Sequence, residues 1–349
     1  MKNTKIIRKV LMVLLSMLVS MGTLSACSQS GGDNGGDGEQ VSKYEYSTTI
    51  ESIDLDYGSL VVSDISCTGE YIYVLYTTLY DADEEKENVQ YVVILDMDQN
   101  VVREIPYQAD IPDVSLAHVK AATDGSYWTQ ETSKWPGSKD QYLRHYDEFG
   151  NVLLTIRPGD LLEGSNYRFT IAAVDKLGRA YVAIDSGRGS TVDDWLALID
   201  KEGKLVCSWD EFSTQIWMTI LDDGTPIVRE TNGGPNIIEP YGYNNLYSIT
   251  EDGGAVLLTD LNDQEKEYGL SFGIEMFAGA GQEIFFEEGF TLYRLSLDNL
   301  TVEAVADWSE LEKTSTFTPY LNELYVVSEN LMYGFISNRT TITMITFEK

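Results

Sequence analysis

Histidine, cysteine and basic charge are all scarce in this chain, and each shortage closes off a class of chemistry. Only two histidines occur, His118 and His145, with no cysteine or carboxylate at ligand spacing from either, so no zinc site is legible. The three cysteines, Cys27, Cys67 and Cys207, are too few and too scattered for a disulfide framework; Cys67 and Cys207 read as buried free thiols. Lysine and arginine number 24 against 56 aspartates and glutamates, a net charge of -32. That balance excludes nucleic-acid binding, which needs cations to neutralise phosphate, and adsorption to an anionic lipid surface. No Gly-x-Ser-x-Gly nucleophile elbow is present, and no segment of helical length carries a convincing 3.6-residue apolar period.

One apolar run stands out. It stretches from Val10 to Leu24, follows Lys2, Lys5, Arg8 and Lys9, and ends in Leu24-Ser25-Ala26-Cys27. A basic start, an apolar middle and small residues before a cut site make a secretory signal. At about fifteen residues the run is shorter than the roughly twenty a helix needs to cross a bilayer. Its ending resembles a bacterial lipobox. That resemblance implies cleavage before Cys27, diacylation of its thiol, and an anchor on the extracellular face of the cell membrane. Residues 1–26 therefore read as a lipoprotein signal peptide. Losing them removes four positive charges and no negative one, taking the net charge to -36. Residues 27–40, with Ser28 to Gln40 reading SQSGGDNGGDGEQ, hold almost no apolar side chain and read as a flexible tether of about 20 Å typical reach. The folded domain is expected over 41–349.

Within that domain, tight-turn signals recur in two interleaved series. One holds Thr68-Gly69, Asp124-Gly125, Leu177-Gly178, Asp223-Gly224, Ala280-Gly281 and Leu321-Asn322. The other holds Gln99-Asn100, Phe149-Gly150, Glu202-Gly203, Asp252-Gly253, Asp298-Asn299 and Asn338-Arg339. Alternating apolar runs flank them, as in hairpins. The repeat, about fifty residues long, is two hairpins in tandem, strands a to d, which is the signature of a β-propeller. Six four-stranded blades are expected, starting near Ser59, Ala117, Phe169, Trp217, Ile274 and Phe317; seven blades with one degenerate is the alternative. The alternating segment Tyr44 to Ile50 lies outside the count and is expected to pair with the last blade, closing the ring.

Such blades put the a–b and c–d turns on one face and the b–c loops and blade links on the other. The b–c loops are long in units one to four (81–88, 131–140, 186–194 and 231–245) and short in units five and six (287–289 and 328–330). Loops longer than connection requires are where function concentrates. Trp135, in Lys134-Trp135-Pro136-Gly137, and Tyr241 and Tyr243, in the equivalent loop of unit four, are the candidate ligand or partner contacts. Trp128, Trp195, Trp209 and Trp217 belong to strands and read as core. The acidic run from Asp81 to Glu87 lacks the Asp-x-Asp-x-Asp-Gly order of a calcium loop and reads as solvated charge. No metal, no cofactor and no catalytic residue is nominated, because 56 carboxylates single out no pair. Two or three carboxylates of a strands around one cavity would instead mark a propeller enzyme.

The pattern of Leu143-Arg-His-Tyr-Asp-Glu-Phe-Gly150 and Leu292-Tyr-Arg-Leu-Ser-Leu-Asp298, behind a lipobox and a Gly- and Asp-rich spacer, resembles the propeller-like region of surface lipoproteins from gut-dwelling clostridia. In relatives that region often precedes an extracellular solute-binding domain of the kind that feeds ABC importers. Such a domain would need residues after Lys349, so only the propeller is carried over. The expected function is a membrane-anchored, non-enzymatic module binding a glycan, peptide or protein through its long-loop face. A carbohydrate-active propeller enzyme using Asp and Glu, or an accessory of solute uptake, stands beside it.

Overall fold

The computed structural model describes residues 44–55, 60–78, 89–107, 114–133, 141–161, 168–185, 195–210, 212, 216–231, 244–270, 277–311, 321–337 and 340–349. All belong to one compact unit, Ser42–Lys349. They form six antiparallel four-stranded sheets. Blade one is β2 (Leu60–Cys67), β3 (Tyr71–Thr78), β4 (Gln90–Asp96) and β5 (Val101–Pro106). Blade two is β6 (Val114–Ala121), β7 (Tyr127–Ser133), β8 (Gln141–Tyr146) and β9 (Val152–Ile156). Blade three is β10 (Arg168–Val174), β11 (Ala180–Asp185), β12 (Trp195–Ile199) and β13 (Leu205–Trp209). Blade four is β14 (Ile216–Ile220), β15 (Pro226–Thr231), β16 (Asn244–Ile249) and β17 (Ala255–Asp260), followed by a helix, α1 (Leu261–Tyr268). Blade five is β18 (Phe277–Ala280), β19 (Glu283–Glu288), β20 (Thr291–Ser296) and β21 (Val302–Asp307). Blade six is β22 (Glu323–Ser328), β23 (Leu331–Ser337), β24 (Ile342–Glu348) and, from the other end of the chain, β1 (Ser47–Ile53). Each inner strand (β2, β6, β10, β14, β18, β22) touches the next, and β22 returns to β2, so the ring is closed. The fold is a six-bladed β-propeller.

Closure comes from the N-terminal strand, in register from Ser47↔Glu348 to Ile53↔Ile342. Blade six corrects the sequence reading in one respect. Its inner strand begins at Glu323 rather than near Phe317, so Glu329-Asn330 is the a–b turn and β1 is the fourth strand of the blade. Leu321-Asn322 imitates a turn but lies before the strand. The Asn322 side chain accepts the Ser337 N–H there, and Leu321 N–H donates to Glu287 Oε2 at 2.7 Å.

The tight turns explain a good part of the acidic composition. Asp147 Oδ1 accepts the N–H groups of Phe149 and Asn151 at 2.9 and 2.8 Å, and Gly150 takes φ of 84° to bring them round. Asp175 and Asp200 cap the turns of blade three in the same way. The donors around Asp96, Asn100 N–H first, hold its carboxyl below the usual range. These carboxylates are turn anchors, which composition alone cannot distinguish from ligands.

Blades pack face to face through apolar side chains. Tyr73, Leu75 and Ile94 of blade one meet Leu116, Val119 and Tyr127 of blade two, and Trp128 and Leu143 meet Phe169, Ile171 and Val182 one blade on. Each such side chain, fully buried, stabilises by about 1.5–3 kcal/mol. Aromatics also tie one blade to the next by hydrogen bonds to turn carbonyls: Tyr73 hydroxyl to Gly125 at 3.1 Å, and Trp128 Nε1 to Gly178 at 2.9 Å. Trp128 and Trp209 are core, as expected, and Trp195 of blade three is half-buried against the apolar cluster between blades two and three. Cys67 and Cys207 are both free, but Cys207 is only half-buried.

Candidate binding site in the axial channel

Cys27, Trp135, Tyr241 and Tyr243 lie outside the described residues, as does the acidic run from Asp81 to Glu87. A different constellation emerges where the inner strands meet at the axis. A cavity of about 440 Å³ is lined there by residues of all six inner strands, with Thr68, Thr123, Lys176 and Asp222 from turns of the tight-turn face. Its size falls within the range of small-molecule sites.

The charged wall comes from blades one, two and six. In β2 and β6 the register shifts between Val62 and Asp64 and between Leu116 and His118. A bulge of this kind re-aims the side chain that follows it. Asp64 and His118 are those side chains, and both line the cavity, with His118 Nδ1 3.4 Å from Asp64 Oδ2. Asp64 is fixed by backbone donors: Ile65 N–H to Oδ1 at 3.0 Å and Val119 N–H to Oδ2 at 2.9 Å. Lys120, two residues after His118 and so on the same face of β6, places Nζ 2.9 Å from Glu323 Oε2. Asp64 and Glu323 thus flank one lysine across three blades.

Their protonation is set by burial against that lysine. Burial works to raise the carboxyl of Asp64, but Lys120, His118 and the Val119 N–H outweigh it and hold the group below its ordinary value. For Glu323 burial prevails over Lys120 and the carboxyl is raised. Lys120 itself is pushed up: burial opposes its charge, but Glu323 and Asp64 overcome that. The trio therefore carries two acids against one base. The strand residues opposite are uncharged: Thr170, Ile171 and Ala172 of blade three, Trp217 and Thr219 of blade four, and Ala278 of blade five, with Asp175, Lys176 and Asp222 at the turns beyond them. Trp217, expected in the core, is half-buried and faces this space, with the Arg229 guanidinium 5.1 Å from its ring centre.

His145 has no part in the cavity. It stacks on Trp128 at 4.5 Å between ring centres, and burial lowers its pKa. Glu131, read from sequence as the start of a loop, is instead wholly buried in β7, where it accepts the Tyr107 and Tyr146 hydroxyls at 2.8 Å each, with Arg144 Nε 3.4 Å away. That cluster joins blades one and two. Among the described residues no group of three or more metal-ligating side chains comes together.

No family model and no curated protein matches this chain. Solved structures share its fold. The β-propeller domain of the Trilobed protease from Pyrococcus furiosus is 12% identical, with 83% of this chain and 93% of that one covered at a TM-score of 0.48. The Pan2 WD40 domain of Neurospora crassa is 8% identical, covering 87% and 96% at 0.47. A protein of unknown function from Bacteroides caccae is 14% identical, covering 70% and 78% at 0.43. These are likenesses of fold between proteins of differing roles.

Proposed function

We propose that this protein is a lipid-anchored extracellular binding module, non-enzymatic, that takes a small ligand in the axial cavity of its propeller. The observation that carries the reading is the cavity wall: a fixed acid–base–acid trio on one side, and an aromatic and two threonines on the other. Convergent polar groups in a concave, partly apolar site are what small-molecule recognition needs. We assign the anchor to Cys27 and, from the sequence alone, a second contact role to the long-loop aromatics Trp135, Tyr241 and Tyr243.

A glycan and peptide array, extended with small metabolites, is probed with the domain from Val41 onward. Thr170→Trp fills the cavity from an exposed position and is expected to abolish binding of the best small ligand, while Trp135→Ala leaves it unchanged. The reverse result places binding on the long-loop face. Cys27→Ala is expected to leave the protein unprocessed or free of the membrane fraction; a cleaved mutant that stays on the membrane refutes the anchor.

Two observations favour the second reading, a carbohydrate-active enzyme: Asp64 and Glu323 are inner-strand carboxylates around one cavity, and their protonation differs. Asp64 is held low and Glu323 is raised, the split an acid/base pair requires. Sugar release from array glycans that disappears in Glu323→Gln would establish it.

A further inference from the structure

We infer that the axial cavity selects a small ring-bearing primary amine, its ammonium taken by Asp64 and Glu323 beside His118 and its ring laid against Trp217. The inference rests on the cavity being a binding site and names what it takes.

Charge comes first. The lining holds four acids, Asp64, Asp175, Asp222 and Glu323, against two lysines, Lys120 and Lys176; Arg179 takes up Asp175, which leaves room for one more positive charge. Lys120 does not need to leave: it lies against Glu323 Oε2, while Asp64 Oδ2 lies on the other side, 3.4 Å from His118 Nδ1. The cations near the mouth are otherwise engaged. Lys176 Nζ donates to the Asp222 carbonyl at 2.8 Å, and Arg179 is held by Asp175 and Glu251. An anionic ligand would meet two carboxylates whose one cation is already paired, inside a chain of net charge -32. The same charge concentrates small cations around the protein and speeds their arrival.

Shape comes second. The carboxylates lie on blades one and six, and the facing wall from blades three to five bears no charge along Thr170, Ile171, Trp217, Thr219 and Ala278. A ligand that satisfies both walls has a cationic end and a compact ring. Inorganic cations and open-chain polyamines leave the Trp217 side unused.

The ring can belong to an amino sugar or to an arylalkylamine, so the test has two arms, run by calorimetry on the full chain in detergent. Glucosamine is compared with N-acetylglucosamine, and phenethylamine with phenethyl alcohol. At least one amine is expected to bind, tenfold or more tighter than its neutral counterpart, because the loss of a charged hydrogen bond in a dry site costs about ten- to a hundredfold. Glu323→Gln and Asp64→Asn are each expected to erase that preference, with circular dichroism melts confirming that the variants fold. Should either fail to fold, the wild-type preference must still disappear as pH rises past the amine's own pKa, where the ligand loses its charge. Equal or tighter binding of the neutral partner, or of phenylacetate, overturns the amine inference while leaving the cavity a binding site. Saturable binding of none of these probes at millimolar concentration overturns both.

Discussion

Glu287 offers a direct test of how this fold tolerates its own acidity. Its side chain is buried at 7% exposure in β19, where Oε2 accepts the Leu321 N–H that leads into the closing blade. Oε1 has no hydrogen-bond partner among the described residues. Burial raises this carboxyl from its ordinary 4.5 to about 7, with the Leu321 N–H offsetting only part of the cost. A folded-state pKa above the unfolded one means that the native protein holds its proton more tightly. The resulting stability is complete below about pH 4.5 and is lost as pH rises through about 7. A shift of this size corresponds to about 3 kcal/mol. Glu287→Gln keeps the shape and the acceptor but never ionises. Urea unfolding of wild type and variant at pH 4.5, 6 and 8 should therefore show the variant gaining about 3 kcal/mol relative to wild type between the two ends. Any constant cost of the amide cancels in that comparison. Parallel stability profiles would mean that Glu287 is solvated or paired where β19 meets the entry to blade six.

Two further tests address turns and closure. Gly150→Ala drives a Cβ into Ile105 Cγ2 at φ of 84°, whereas Gly224→Ala, at φ of 88°, meets nothing within 4 Å; the first should cost about 3 kcal/mol and the second about 1 kcal/mol in urea unfolding, and equal costs would contradict the blade-to-turn contact. Deleting 44–50 removes four β24 pairings and the buried Tyr46, whose hydroxyl donates to the Glu329 carbonyl at 2.7 Å; a loss of about 4 kcal/mol is expected, and an unchanged melting temperature refutes closure by this strand.

The blades were legible because their turns carry local chemistry. An aspartate three residues before a glycine, as in Asp147 to Gly150 and Asp200 to Gly203, builds the turn by itself, and alternating side chains flank it. Blade six was displaced by one strand because its cues are not local. Its true a–b turn, Glu329-Asn330, has no glycine, while Leu321-Asn322 resembles the weaker turns elsewhere. What decides the assignment is a pairing between residues 301 apart, Ser47 with Glu348: the alternation of Tyr44 to Ile50 marked a closing strand, but not that it supplies the fourth strand of blade six.

The cavity was hidden for a related reason. Trp135 draws attention in sequence because a tryptophan beside proline and glycine has no local place to pack. Asp64, Lys120 and Glu323 look ordinary, each a polar residue within or at the edge of an apolar strand. Their meaning appears once the ring is closed, for an inner strand has a neighbour on each side and only the axis left for a polar chain. Sequence did contain a usable signal: charged residues in inner strands, where blades three to five of the same chain present Ala173, Thr219 and Ala278 to the cavity. Three blades that depart from that pattern are consecutive around the ring, six, one and two, so their charges must converge on one side of the axis. Convergence, rather than the number of carboxylates, separates these residues from the turn anchors that make up so much of the chain's acidity. It also explains why Lys120, 203 residues from Glu323, is its partner.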